Sequence, residues 1–374
     1  MKTTIRILAI TASLLSSLAV SRAQFTAGNL VVLQVGNGSS GLTSAGAPIF
    51  LDQFTTGGSP VGSPLAIPST GSTALVNSGT ASSEGALTLS ANGQYLVIAG
   101  YNVAAGSAGV AGSTSAADPR GVATVDAGGN YTLAATTSTG LTGNNIRSGA
   151  GDGNGNFWAA GAAGTSGGTL YFNTTTTAIT NSATSSNNRI IQDIGGNLYF
   201  STGSGSTRGI YEISGAPTTI GNTAVSFINT STLGSTSPYD FAFNTTLTIA
   251  YIADSDAYTT SAGLGGIEKW TFNGTSWAFQ YSLPTKGVGA NGLTVDFSGA
   301  NPIIYATSAD GTSLFDVTDA GSGSTATLLD TAAANTVFRG LDFSPEPVPE
   351  PATLALDSMG LIALCGFARR NRKS

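Results

Sequence analysis

The chain has 374 residues, 51 of them glycine, only 9% charged, and a net charge of −6. It has no histidine, and its single cysteine, Cys365, and both methionines, Met1 and Met359, lie in the terminal segments. Residues 24–351 therefore lack a thiol nucleophile, a disulfide, histidine acid/base chemistry and the commonest transition-metal ligands. That stretch carries seven basic and nineteen acidic side chains, a net charge of −12 with no basic patch, which argues against nucleic-acid binding. Hydrophobic residues still make up 41% of the chain, in short alternating runs with 16 Phe and 11 Tyr, so an ordered β-rich domain is expected rather than disorder. The missing sulfur suits a protein exposed outside the cell, and drift in a Gly/Ser/Thr-rich composition explains it equally well.

The N-terminus reads as a secretory signal peptide. Lys2 and Arg6 precede a 14-residue apolar run, and Ser21 and Ala23 place small residues before a cleavage point between Ala23 and Gln24. The run is shorter than the roughly 20 residues a spanning helix needs. Residues 1–23 are assigned to the signal, 24–345 to a β-domain and 346–374 to a tail.

Three strands follow, in "NLVVLQVGN", "APIFLDQFT" and "SPLAIPS". Then a unit recurs, built of an apolar strand, a tight Gly/Asn turn, a second strand and later a third. In "SEGALTLSANGQYLVIAGYN", Leu87 and Leu89 alternate with polar residues, Asn92-Gly93 makes the turn and Tyr95–Ala99 form the partner. Units begin near residues 84, 146, 188, 238 and 291, a spacing that suits four-stranded propeller blades. Third strands share a glycine followed by an aromatic, as in "GTLYF", "GIYEI" and "GGIEKW". The glycine allows close entry into a packed sheet and the aromatic fills the gap between blades. "VFRGLDFSP" at 337–345 supplies a lone first strand to the N-terminal three. The expected fold is an all-β propeller of about six four-stranded blades, seven if residues 100–145 hide another, closed by strands from both termini. A β-solenoid is the alternative.

Candidate sites are sparse. Asp152, Asn154 and Asn156 occupy positions 1, 3 and 5 of an EF-hand-like loop, which would suit Ca²⁺, the one cofactor the sequence suggests. Phe157 and Ala163 stand where that loop needs Gly and Glu, so a tight hairpin turn is the competing reading. Asp254 and Asp256 alternate on an extended segment, point the same way, and could bind a hard cation or cap a loop, solvated turn formers being the competing reading. Arg147, Arg189 and Arg339 start three first strands, which line a propeller's channel, and could form an anion site; ion pairs with Asp193, Asp240 and Asp342 are the competing reading. Trp158, Trp270 and Trp277 could stack on sugars or simply pack. No P-loop, dinucleotide fingerprint, nucleophile elbow or zinc pattern appears.

The chain ends in Pro349-Glu350-Pro351, an apolar run, and the basic cluster Arg369, Arg370, Arg372 and Lys373. This three-part order resembles the PEP-CTERM sorting signal of Gram-negative bacteria, although Asp357 interrupts a run that is usually continuous in that family. The resemblance implies recognition and cleavage near the triplet by a membrane-embedded exosortase, transient inner-membrane anchoring and delivery to the cell surface or extracellular matrix. It covers the tail alone. The function expected from the whole is a non-catalytic surface or matrix protein that binds exopolysaccharide or other surface proteins. Two alternatives stand beside it: a secreted polysaccharide-active enzyme using carboxylates and tyrosines such as Asp254, Asp256 and Tyr258, and a self-assembling structural protein.

Overall fold

The computed structural model of the protein describes residues 24–162, 168–172, 176–178, 187–203, 207–259, 263–285 and 287–347. The signal-peptide residues up to Ala23 and the sorting residues from Pro349 to Lys373 lie outside them.

Strands and turns make up nearly all of the described chain. β1 (Leu30–Val35), β2 (Gly46–Phe54), β3 (Leu65–Ala66), β4 (Val76–Ser78), β5 (Leu87–Leu89), β6 (Tyr95–Tyr101), β7 (Arg120–Asp126) and β8 (Tyr131–Thr137) share one nine-stranded sheet with β25, the last strand. Four antiparallel four-stranded sheets follow. The first holds β9 (Ile146–Gly151), β10 (Phe157–Gly161), β11 (Thr169–Phe172) and β12 (Thr176–Ala178). The second holds β13 (Asn188–Ile194), β14 (Asn197–Thr202), β15 (Gly209–Ile213) and β16 (Val225–Asn229). The third holds β17 (Pro238–Phe243), β18 (Ile249–Thr259), β19 (Leu264–Phe272) and β20 (Trp277–Leu283). The fourth holds β21 (Ala290–Asp296), β22 (Ile303–Ser308), β23 (Ser313–Thr318) and β24 (Ala326–Thr331). β25 (Val337–Phe343) then pairs antiparallel with β1, with Leu30 opposite Phe343 and Val35 opposite Val337. Strands from the two ends of the domain thus share a sheet, as the lone strand at 337–345 predicts.

The architecture is all-β and propeller-like. The innermost strands touch in a ring: β5 lies against β9, β9 against β13, β13 against β17, β17 against β21, β21 against β25, and β25 against β5. Their sequences explain the packing. Both faces of an inner strand are covered, so these segments are small and apolar, as in Gly149-Ala150-Gly151 and Gly340-Leu341. A hydroxyl from one sheet repeatedly clasps the next inner strand. Thr88 Oγ1 donates to the Gly149 carbonyl at 2.7 Å and Ser148 Oγ to the Arg189 carbonyl at 2.7 Å. Ser201 and Thr307 donate likewise to the Tyr239 and Arg339 carbonyls. Between β25 and the segment leading into β5 the contact is pure backbone, Gly340 N–H to Gly85 O at 2.9 Å.

The core lies between the sheets, in aromatic-rich clusters such as Tyr199, Phe241, Tyr251, Trp270 and Phe315. The third-strand pattern holds in part. Phe172 and Trp270 are buried, whereas Tyr171 and Tyr211 are half-buried. Gly209 sits at φ +141°, where a Cβ would lie 2.0 Å from the Ile228 carbonyl oxygen.

Candidate functional site

The first strands start at one end of the ring, and this brings the three arginines together. Arg147, Arg189 and Arg339 sit at the second or third residue of β9, β13 and β25. All three act electrostatically on one phenol, Tyr239 of β17, and Arg147 and Arg189 repel each other. The Arg189 guanidinium lies over the Tyr239 ring, 5.2 Å from its centroid.

The ion pairs expected as the competing reading do not form. Among the described residues the only salt bridge within 4.0 Å is Lys269–Asp319, at 2.7 Å. Asp193, Asp240 and Asp342 serve the backbone instead. Asp193 accepts from Gly196 N–H. Asp240 accepts from the N–H groups of Phe241 and Leu293 and from the Gln192 amide, and Asp342 from the N–H groups of Leu89 and Phe343 and from Thr294. Asp240 and Asp342 thereby tie neighbouring inner strands together.

The arginines are held without being neutralised. Arg189 donates to the carbonyls of Ser237 and Pro238, at 2.9 and 3.0 Å, and to Ser237 Oγ. Arg147 donates to Asn145 Oδ1, Asn187 Oδ1 and the Asn188 carbonyl. Arg339 is 6% exposed, and its guanidinium makes no hydrogen bond among the described residues. Burial lowers the pKa of all three, because removing a cation from water penalises it. A fourth arginine, Arg120, is different. Its guanidinium caps the carbonyls of Ser113, Asp118 and Asn144 and lies 4.9 Å from the Tyr101 ring centroid, a structural arrangement.

Beside Arg339 lies a cavity of about 10 Å³, close to the room one water needs, lined also by Glu84, Tyr239 and Asn291 among others. Glu84 is 1% exposed. Its carboxylate accepts from Tyr101 Oη at 2.6 Å and from Ser78 N–H at 2.8 Å. Burial outweighs those bonds and the nearby Arg339 charge, and pushes its pKa up to about 7. No motif in the sequence singles out Glu84, since "SEGAL" merely precedes a hairpin. Its one signal is position, just ahead of a first strand.

The other predicted sites come apart. Asp152 spends both carboxylate oxygens on its own turn, accepting from the N–H groups of Asn154 and Asn156 and from the Asn156 amide, so the hairpin reading describes this loop. Asn156 accepts in turn from Tyr171 Oη. Asp254 and Asp256 do not point the same way. The β18–β19 pairing shifts after Asp254, and the Asp256 N–H turns back onto Asp254 Oδ1 at 2.8 Å. Asp254 is fully buried and Asp256 is exposed. Among the described residues no three His, Cys, Asp or Glu side chains gather to hold a metal ion. Trp158 and Trp270 are buried, their indoles donating to the Pro217 carbonyl and to Glu268, while Trp277 is half-buried.

No protein-family model and no curated protein matches the chain. Solved structures do. A periplasmic gluconolactonase of Pseudomonas aeruginosa matches at 13% identity and a TM-score of 0.44, over 81% of this chain and 83% of that one. A structure of a nidogen/laminin complex matches at 14% and 0.49, over 86% and 99%. A gluconolactonase of Xanthomonas campestris matches at 11% and 0.38, over 61% and 75%. At such identities the likeness extends to the fold alone. The expectation of a non-catalytic display protein meets its correction here only as a finding about neighbours: gluconolactonases are among the solved structures that the chain resembles in fold.

Proposed function

We propose that the chain is an exported enzyme that hydrolyses an ester of a small anionic sugar derivative, of the lactone type, at the arginine-lined end of its channel. The observation that carries this reading is Arg339, a buried arginine whose enclosed Nε has no partner and whose guanidinium makes no hydrogen bond among the described residues, beside Glu84 and a water-sized cavity. A guanidinium so short of partners is matched by a carboxylate or phosphate of the substrate, which would supply charge-assisted bonds. Arg147 and Arg189, half-exposed at the mouth, would hold that anionic group. Glu84 would take a proton from water as the water oxygen attacks the ester carbonyl, then pass it to the departing alkoxide oxygen. Arg339 would stabilise the oxyanion in between. The products are a carboxylic acid and an alcohol, joined in one molecule when the ester is a ring.

The nine-stranded sheet supports a count of six blades. β25, β1, β2 and β3 form one blade and β5 to β8 another, joined through β4. The signal-like start and the PEP-CTERM-like end support export to the cell surface or matrix with an exosortase-type protease as processing partner. Intact mass of the secreted chain tests that address: a product still carrying residues 352–374 sinks it.

The activity test is titration of released acid from lactones and methyl esters of carboxylated and phosphorylated sugars. Turnover should prefer anionic substrates over neutral ones. Glu84→Gln should lower kcat by about 10²–10⁴-fold, and Arg189→Ala should act mainly on KM. A folded Glu84→Gln variant with wild-type turnover would overturn the assignment.

A further inference from the structure

We propose that a groove on the rim, remote from the channel, binds a neutral saccharide. It lies where β16 and the turn after it meet the tip of the β19–β20 hairpin. Its volume is about 320 Å³, within the range of about 300–1,000 Å³ usual for small-molecule sites. Phe227, Phe272 and Trp277 supply apolar ring surface, and Asn229, Thr275 and Ser276 supply short neutral polar groups. Among the described residues no charged side chain lines it.

Three features point to a sugar ring as the occupant. First, Trp277 is a fixed platform. It is half-buried and braced by Phe227, Phe272 and Phe243, with ring centroids 5.5, 5.5 and 5.9 Å away. A rigid amphipathic ring gives contact area at small entropic cost. Second, the Trp277 indole N–H makes no hydrogen bond among the described residues and is open to solvent, unlike those of Trp158 and Trp270, so it is available to an oxygen atom of a ligand. Third, the polar groups alternate with rings instead of forming a separate rim. Thr275 and Ser276 commit their backbone N–H groups to Asn273 Oδ1, which sets the turn and leaves the hydroxyls to face outward chemistry. A pyranose has an apolar face and an equatorial girdle of hydroxyls, which matches this lining. A uronate does not, because nothing in the groove would compensate its charge and the body is strongly acidic. This inference does not depend on hydrolysis at the channel.

The test is calorimetric titration of the full chain with maltotriose and cellotriose, and with trigalacturonate as the charged comparison. A neutral trisaccharide should bind saturably, with a Kd of about 1 mM or tighter. Trp277→Ala should weaken binding about tenfold while hydrolysis at the channel stays unchanged. Thr275 is exposed in a turn, so Thr275→Arg fills the groove without touching the core and should do the same even if Trp277→Ala folds poorly. Absence of saturable binding by either neutral sugar, unchanged affinity in Thr275→Arg, or equal affinity for trigalacturonate would each overturn the proposal.

Discussion

Asp254 on β18 and Glu268 on β19 are hydrogen-bonded to each other in the interior, two acids side by side with no basic residue between them. Both are fully buried. Asp254 Oδ1 accepts from Ser237 and Asp256 N–H, and Glu268 Oε2 accepts from the Trp270 indole at 2.8 Å. The remaining oxygens, Asp254 Oδ2 and Glu268 Oε1, have no other partner among the described residues. Two carboxylates cannot occupy this position without a proton between them.

Stability should therefore fall with rising pH. Burial raises both pKa values, the Asp256 charge adds to the rise at Asp254 and the Asp254 charge to that at Glu268, so the folded chain binds the shared proton more tightly than the unfolded chain does. That stabilisation is complete below the unfolded range, at about pH 4, and is lost as pH rises through the folded values. Asp342 and Asp52, each raised to about 6 by burial, and Glu84, raised to about 7, act in the same direction. Thermal melts should give a higher Tm at pH 5 than at pH 8. Glu268→Gln should flatten that slope, since its amide can donate to Asp254 at any pH and still accept from Trp270. A Tm that climbs from pH 5 to 8 would contradict the paired-acid assignment.

Ser148 offers a test of the clasps between sheets. Its hydroxyl donates to the Arg189 carbonyl and accepts from Ile191 N–H at 3.0 Å, so one side chain closes two bonds across β9 and β13. Ser148→Ala should leave a buried N–H unsatisfied and cost about 1–3 kcal/mol in denaturant unfolding. Because the same clasp fixes the backbone of Arg189, the substitution should also raise KM in the titration assay. A loss of stability with KM unchanged would separate the clasp from the anion site.

The parts of this structure that are legible in the sequence are those set by local pattern. Asn92-Gly93 and the alternation around it fix the β5–β6 hairpin, and the strand starts near 146, 188, 238 and 291 match β9, β13, β17 and β21 within two residues. Placing Arg147, Arg189 and Arg339 together needs only those starts. What stays hidden depends on partners far away in the chain. β4 is three residues, Val76–Ser78, with no periodicity to read, yet it links the two halves of the nine-stranded sheet. The Asp254–Glu268 pair is set by an irregular register between β18 and β19, which also turns Asp256 outward. Glu84 meets Tyr101 only after the chain has gone through a hairpin, and a lone carboxylate before a strand announces nothing.

Ring closure is tested at Gly340. Its N–H bonds to Gly85, and an added Cβ would sit 2.2 Å from Leu87 N and 2.7 Å from the Ala86 carbonyl carbon. Backbone cannot yield as a flexible side chain can, so Gly340→Ala should push β25 away from β5. The expected cost is about 3 kcal/mol or more, above the usual range for overpacking. Gly323, where an added Cβ would meet nothing within 4 Å, is the control: Gly323→Ala should leave Tm within about 1 °C. Equal behaviour of the two variants would mean that β25 does not close the ring in solution.

The bond from Tyr101 to Glu84 makes the proposed chemistry tunable. Burial and the adjacent carboxylate keep the phenol protonated far above neutrality, so it donates to Glu84 throughout the working range. That donation favours the carboxylate and lowers the Glu84 pKa against the larger effect of burial. As general base, Glu84 must be ionised, so kcat/KM should rise with pH through about 7 and level off above it. Tyr101→Phe removes the donor without changing the ring that packs under Arg120. The acidic limb should then move to higher pH, with the plateau rate reduced by less than in Glu84→Gln. A limb that stays in place, or moves to lower pH, would show that the group titrating in the rate profile is not Glu84.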